Sequence, residues 1–121
     1  MKVACGVMYD KYGNILMGLR NGNGPNPWYW EFPGGKVEGK ESIKGCLRRE
    51  WLEELNLKIE INELLGINKF GFVECYFYKG KILDIENLKI NVHSYIGFYS
   101  PKDILELRLF DGDEDIVKKI L

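Results

Sequence analysis

Apolar residues from Val3 to Tyr9 and from Ile15 to Leu19 flank the polar run Asp10-Lys11-Tyr12-Gly13-Asn14. This pattern predicts two strands joined by a Gly/Asn turn. The segment Asn21-Gly22-Asn23-Gly24-Pro25-Asn26-Pro27 has turn composition throughout and predicts a loop. A helix is predicted from an N-cap at Ser42 to Leu55, with Asn56 at the left-handed position that closes it. Beyond it, Ile59 to Ile67 and Phe70 to Tyr78 are rich in β-branched and aromatic residues and predict strands, with Lys79-Gly80-Lys81 as a hairpin turn. Lys89 to Val92 and Tyr95 to Tyr99 predict two more. Ser100-Pro101 places an N-cap and an N1 proline before a short helix, and Asp113 to Leu121 has the acid-first, lysine-late order of a terminal helix. Strands on both sides of one long helix, plus a closing helix, predict an α/β fold with a mixed sheet between helices.

The long helix carries Glu50, Glu53 and Glu54 within an arc of about 100°. Carboxylates that close repel one another unless cations bridge them, and Mg²⁺ or Mn²⁺ suits an all-oxygen set. The competing interpretation is a solvated acidic face, or acids paired with Arg48 and Arg49. A solvated face belongs opposite the apolar stripe, whereas this arc overlaps that of Ile43 and Cys46.

The surrounding spacing is more specific. Gly35, five residues, Glu41, seven residues, then Arg49-Glu50-Trp51-Leu52-Glu53-Glu54-Leu55-Asn56-Leu57 resembles the signature box of the Nudix hydrolases. The box glycine near its end is replaced by Asn56. Asn is the best substitute for glycine in a left-handed cap, so the departure is physically mild. The lead-in Trp30-Glu31-Phe32-Pro33-Gly34-Gly35-Lys36-Val37-Glu38 is similar to that of MutT-like nucleoside triphosphate pyrophosphohydrolases.

The resemblance implies an α/β/α sandwich over residues 1–121 and metal-dependent hydrolysis of a nucleoside triphosphate to monophosphate and pyrophosphate. It implies metal ligation by Glu50, Glu53, Glu54 and the Gly34 carbonyl, with Glu53 as general base and Arg49 orienting a box glutamate. Glu41 and Gly35 would support the loop and helix, and Lys36 would contact phosphate. Arg20 corresponds to a substrate-binding arginine, or is a strand-end surface charge. Asp113 corresponds to a base-reading position, or is a plain helix N-cap. ADP-ribose or dinucleoside polyphosphate hydrolysis, or a silent nucleotide-binding regulator, are the alternatives.

One relative-specific feature is missing. Where many MutT-like proteins carry a glutamate before the strand leading to Ser100-Pro101, this chain has Val92, which cannot bind a metal. Glu74, Asp84 and Glu86 are candidate substitutes. His93, the sole histidine, is a structural residue at a strand end, or a substrate contact or proton relay. Trp28, Tyr29, Phe70, Phe72 and Tyr76 are candidates for stacking on a base.

Charge narrows the partners. Lys+Arg 17 against Asp+Glu 18 leaves no basic excess for a polymeric nucleic acid, while a small nucleotide needs only local cations. Cys5, Cys46 and Cys75, without a C-x-x-C pair, read as buried free thiols of a cytoplasmic protein. No apolar run approaches the roughly 18 residues of a membrane span.

Overall fold

The computed structural model describes all of residues 1–121. The first two strands, β1 (Lys2–Tyr9) and β2 (Ile15–Leu19), form where the apolar pattern places them. Their turn is built by Asp10, whose Oδ1 accepts the backbone N–H groups of Tyr12 and Asn14 at 2.8 and 3.0 Å. Gly13 supplies the positive φ of 82° that closes it.

Two short strands, β3 (Trp30–Glu31) and β4 (Gly34–Lys36), lie inside the lead-in to the helix and are too short to show in the apolar pattern. They position the site. Tyr9 pairs with Ile15 near the turn, but further along β2 pairs with β3 while β1 pairs with β4. The sheet therefore opens between β1 and β2, and Phe32-Pro33 crosses the opening. Trp51, fully buried on helix α1 (Ile43–Leu55), donates its indole N–H to the Pro33 carbonyl at 2.8 Å and fixes that crossing. A side chain on Gly6 would collide with the same indole.

Helix α1 begins at Ser42, whose hydroxyl accepts the Gly45 N–H, and ends at Asn56 with φ 56° and ψ 36°. Both match expectation. The next hairpin does not. Strand β5 runs Ile59–Phe70 and β6 runs Val73–Ile82, with the turn at Gly71-Phe72 rather than Lys79-Gly80-Lys81. Gly80 is a mid-strand residue because a Cβ there would overlap the Glu60 carbonyl.

Strand β6 lies parallel to β1, from Lys2 opposite Glu74 to Tyr9 opposite Lys81. Strand β7 (Tyr95–Tyr99) covers the other edge of β2. Lys89 to Val92 is not a strand. A 3₁₀ turn at Ile85–Asn87 precedes it, and its backbone caps α1: Lys89 N–H donates to the Leu55 carbonyl and Asn91 N–H to that of Glu54.

Helix α2 (Pro101–Ile104) starts at the expected Ser100 cap. Helix α3 (Asp113–Lys118) is shorter than expected, and its N-cap is Gly112 rather than Asp113. The mixed sheet separates two cores. Ala4, Met8 and Leu16 face Leu47, Trp51 and Leu55 of α1. Val7, Ile15 and Met17 face Ile104, Ile116 and Val117 on the opposite side. Period-2 alternation along β1 and β2 thus feeds both layers of an α/β/α sandwich.

Because Asn56 occupies the left-handed region and donates from Nδ2 to the Asn87 carbonyl at 3.0 Å, Asn56→Ala is expected to cost about 1–2 kcal/mol. Asn56→Gly is expected to cost less. Urea unfolding of the two variants beside the wild type checks the order.

Candidate active site

Helix α1 presents its carboxylates beneath β4. Gly34 and Gly35 come close because neither carries a side chain: a Cβ on Gly34 would overlap the Ala4 carbonyl, and one on Gly35 would overlap the Glu50 carboxylate. The Cys46 thiol also donates to the Gly35 carbonyl at 3.4 Å.

Arg49 organises this contact. Its Nε and Nη2 grip Glu41 at 3.0 and 2.8 Å in a bidentate fork. Nη1 donates to Glu50 at 2.9 Å and Glu53 at 3.2 Å, and Nη2 also reaches the Lys36 carbonyl. Hydrogen bonds from Arg49 bring the Glu41 carboxyl down to about 2. Glu41 in turn accepts the Glu38 N–H at 2.8 Å, bracing the turn before the helix.

The three glutamates differ in environment. The Glu53 side chain is 59% exposed, that of Glu50 16% and that of Glu54 9%, so Glu53 alone is open to water. Burial pushes the Glu54 carboxyl up to about 9, reinforced by a hydrogen bond to Glu50 and by the charges of Glu31, Glu50 and Glu53. Its Oε2 is buried without a hydrogen-bond partner. A buried, unpartnered carboxylate oxygen among other carboxylates fits a hard divalent cation, which would supply the missing positive charge.

The sheet opening adds Glu31, a residue of the lead-in motif to which the resemblance attaches no role. Register places it opposite Gly18 on β2. Arg20 Nη1 contacts Glu31 Oε1 at 3.3 Å, and His93 Nε2 lies 2.7 Å from Oε2. The one sequence signal was a carboxylate flanked by Trp30 and Phe32 where the neighbours are apolar. The proposed substitutes for a loop glutamate lie elsewhere. Glu74 pairs with Lys69, Asp84 accepts the Lys58 N–H, and Glu86 is in the 3₁₀ turn. None lines the groove. Val92 does border it, and its carbonyl accepts from Asn21 Nδ2 at 2.6 Å.

The groove has two ends. A cleft of about 730 Å³ holds Glu50, Glu53, Glu54, Gly34, Gly35 and exposed Lys36. A second, of about 600 Å³, holds Tyr29, Phe70, Phe77, Phe110, Cys75 and Asp113. Both include Val3, Cys5, Arg20, Glu31 and Phe32, so they are continuous.

Tyr29 stacks on Phe110 with centroids 4.9 Å apart, while Arg108 covers Tyr29 at 4.2 Å and Arg20 covers Phe110 at 5.4 Å. Of the expected stacking residues, Tyr29 and Phe70 reach the groove. Phe72 is 94% exposed at the β5–β6 turn, Trp28 is half exposed, and Tyr76 packs toward α1. Cys46 is buried, whereas Cys5 and Cys75 are half-buried, packing against the core on the α3 side while also lining the groove.

An acidic helix face roofed by Gly-Gly is joined to an aromatic cleft, an arrangement whose chemistry suits a divalent cation at one end and an aromatic group at the other. The chain belongs to the Nudix family, whose domain model, described as "NUDIX domain", matches residues 1–118. An 8-oxo-dGTP diphosphatase of Proteus vulgaris is 36% identical over 59 residues, 49% of this chain and 53% of that protein. The chain thus matches about half the length of that curated relative. A CTP pyrophosphohydrolase of Escherichia coli is 26% identical over 93% of this chain and 85% of its own length. A solved MutT protein of Methanosarcina mazei superposes with a TM-score of 0.87 at 23% identity, covering 98% of this chain and 91% of that one, which establishes the shared fold. No helix is long and apolar enough to cross a membrane.

Asp113, 7% exposed, has its carboxyl raised to about 7 by burial first and then by the charges of Cys75 and Glu31. A folded value above the unfolded one means the native state holds the extra proton between about pH 4 and pH 7, so stability falls as pH rises through that window. Asp113→Asn removes this loss. Relative to wild type, the variant should gain on the order of 2–4 kcal/mol between pH 4.5 and pH 8, read by urea unfolding across that range.

Proposed function

We propose that this protein hydrolyses a nucleoside triphosphate to nucleoside monophosphate and pyrophosphate. The observation that carries the proposal is the continuity of the groove: the triphosphate lies along Glu50, Glu53, Glu54 and Lys36, while the base enters the Tyr29–Phe110 end. Curated relatives bearing the names 8-oxo-dGTP diphosphatase and CTP pyrophosphohydrolase support this substrate class.

Glu50, Glu53, Glu54 and the Gly34 carbonyl are the proposed ligands of Mg²⁺ or Mn²⁺, which when bound would neutralise phosphate charge and acidify a coordinated water. Arg49 holds Glu50 and Glu53 in fixed rotamers and, being fully engaged, leaves phosphate binding to Lys36 and Arg20. Glu53, the most open of the three acids, takes the proton from water as its oxygen attacks phosphorus in line. The anhydride P–O bond breaks and pyrophosphate departs toward solvent. At the other end, Tyr29 and Phe70 border the base, and Asp113 presents a carboxyl that can accept a hydrogen bond or, when protonated, donate one.

The test is a product assay with normal and oxidised nucleoside triphosphates, ADP-ribose and dinucleoside polyphosphates, in Mg²⁺ or Mn²⁺. Pyrophosphate should be released from a triphosphate, and Glu53→Gln should lower kcat by about 10²–10⁴-fold. Turnover confined to ADP-ribose or a dinucleoside polyphosphate would move the protein to another activity of the family. Nucleotide binding without any turnover would make it a binding module.

A further inference from the structure

Glu31 stands where the charged and aromatic ends of the groove meet, and packing alone gives no reason for a carboxylate there. Its neighbours in sequence, Trp30 and Phe32, pack into the core on the α3 side. The ligand atoms of Glu31, Glu54 and His93 lie within 4.8 Å of one another. Arg20 contacts Glu31 Oε1 and His93 contacts Oε2, yet a carboxylate offers about four lone-pair sites, so both oxygens keep acceptor capacity. On Glu54, Oε1 lies 3.8 Å from His93 Nε2, and Oε2 is buried with no partner. Two acidic groups this close, one with a buried unpartnered oxygen, suit a shared divalent cation that would take the place of a proton.

Building on the metal assignment above, we propose that Glu31 is a further metal-ligating carboxylate, sharing a divalent cation with Glu54, and that His93 positions it. A plain Arg20–Glu31 ion pair would explain Oε1 but neither the proximity of Glu54 nor the buried histidine. An ionised Glu31 can only accept, so the hydrogen in the 2.7 Å contact belongs to His93 Nε2, whose lone pair is then not free for a metal. The ligand is therefore Glu31, and the histidine sets its geometry, as outer partners of metal ligands do.

The seat of the ring is also built. The His93 side chain is 1% exposed, and its ring occupies the space over Gly18 where any Cβ would collide with it. Gly18 is the residue paired with Glu31 across β2 and β3. Ser94 N–H donates to the Leu19 carbonyl at 3.0 Å, locking the backbone that carries the histidine to the same strand. The glycine, the histidine and the glutamate thus form one stacked unit fixed by strand register.

The test is Mn²⁺ binding to the full chain, followed by the electron paramagnetic resonance signal of free Mn²⁺, so that it does not depend on turnover. Glu31→Gln, isosteric with the native residue, should lose one bound ion or bind it at least about tenfold more weakly. His93→Leu should weaken the same ion by about 10–100-fold, and His93→Gln, which restores an N–H donor, should recover most of it. Gly18→Ala displaces the ring without removing any polar group and should behave like His93→Leu. Glu31→Gln with wild-type stoichiometry and affinity would overturn the proposal while leaving the helix ligands intact. A wild-type protein that binds no Mn²⁺ would overturn the metal site as a whole.

Discussion

One guanidinium holds the charged end of this protein together. Arg49 donates to Glu41, Glu50, Glu53 and the Lys36 carbonyl, so a single planar fork joins the turn before α1, the strand above it and two of its acids. Without a fixed cation at this point, the acids of one helix face would repel one another and splay apart. With it, each keeps one direction. Lysine would not serve, because one ammonium group cannot grip Glu41 bidentately and still reach Glu50 and Glu53.

The second constraint is the opening of the sheet between β1 and β2. Strands that diverge leave unpaired backbone groups, which are normally costly. Here β3 and β4 pair with the diverging edges, Pro33 accepts from Gly6 and from Trp51, and the opening becomes the groove. Gly6 and Gly35 lack side chains where Trp51 and Glu50 of α1 approach, and Gly34 where the Ala4 carbonyl of β1 does. The site is thus formed by departures from regular pairing, each compensated by a specific hydrogen bond.

Much of this was legible in the residues. Helix α1 was fully specified, since Ser42, the spaced glutamates and Asn56 each act through local geometry. The first hairpin was equally clear, because Asp10 and Gly13 build its turn from within. Gly80 misled: a glycine between lysines has turn composition, yet what selects it is the Glu60 carbonyl across the sheet, which no local window contains. Lys89 to Val92 has a strand-like composition, but its hydrogen bonds go to the end of α1, from Lys89 to Leu55 and from Asn91 to Glu54, partners far away in sequence. Glu31 went unassigned for the same reason. Its character comes from Gly18, His93 and Glu54, which only the folded register brings together.

The capping of α1 by the segment after the 3₁₀ turn bears on motion. The last turn of a helix is ordinarily the first to fray. In this helix that turn carries Glu53 and Glu54, so fraying would scatter the acids. Asn91 closes it from two atoms: its side chain donates to the Glu53 carbonyl and its backbone N–H to that of Glu54. Two residues later the chain delivers His93 to Glu31. The same short stretch therefore clamps one wall of the groove and supplies a part of the other. The helix end that carries Glu53 and Glu54 is thereby tied, through residues 91–93, to the segment that holds Glu31.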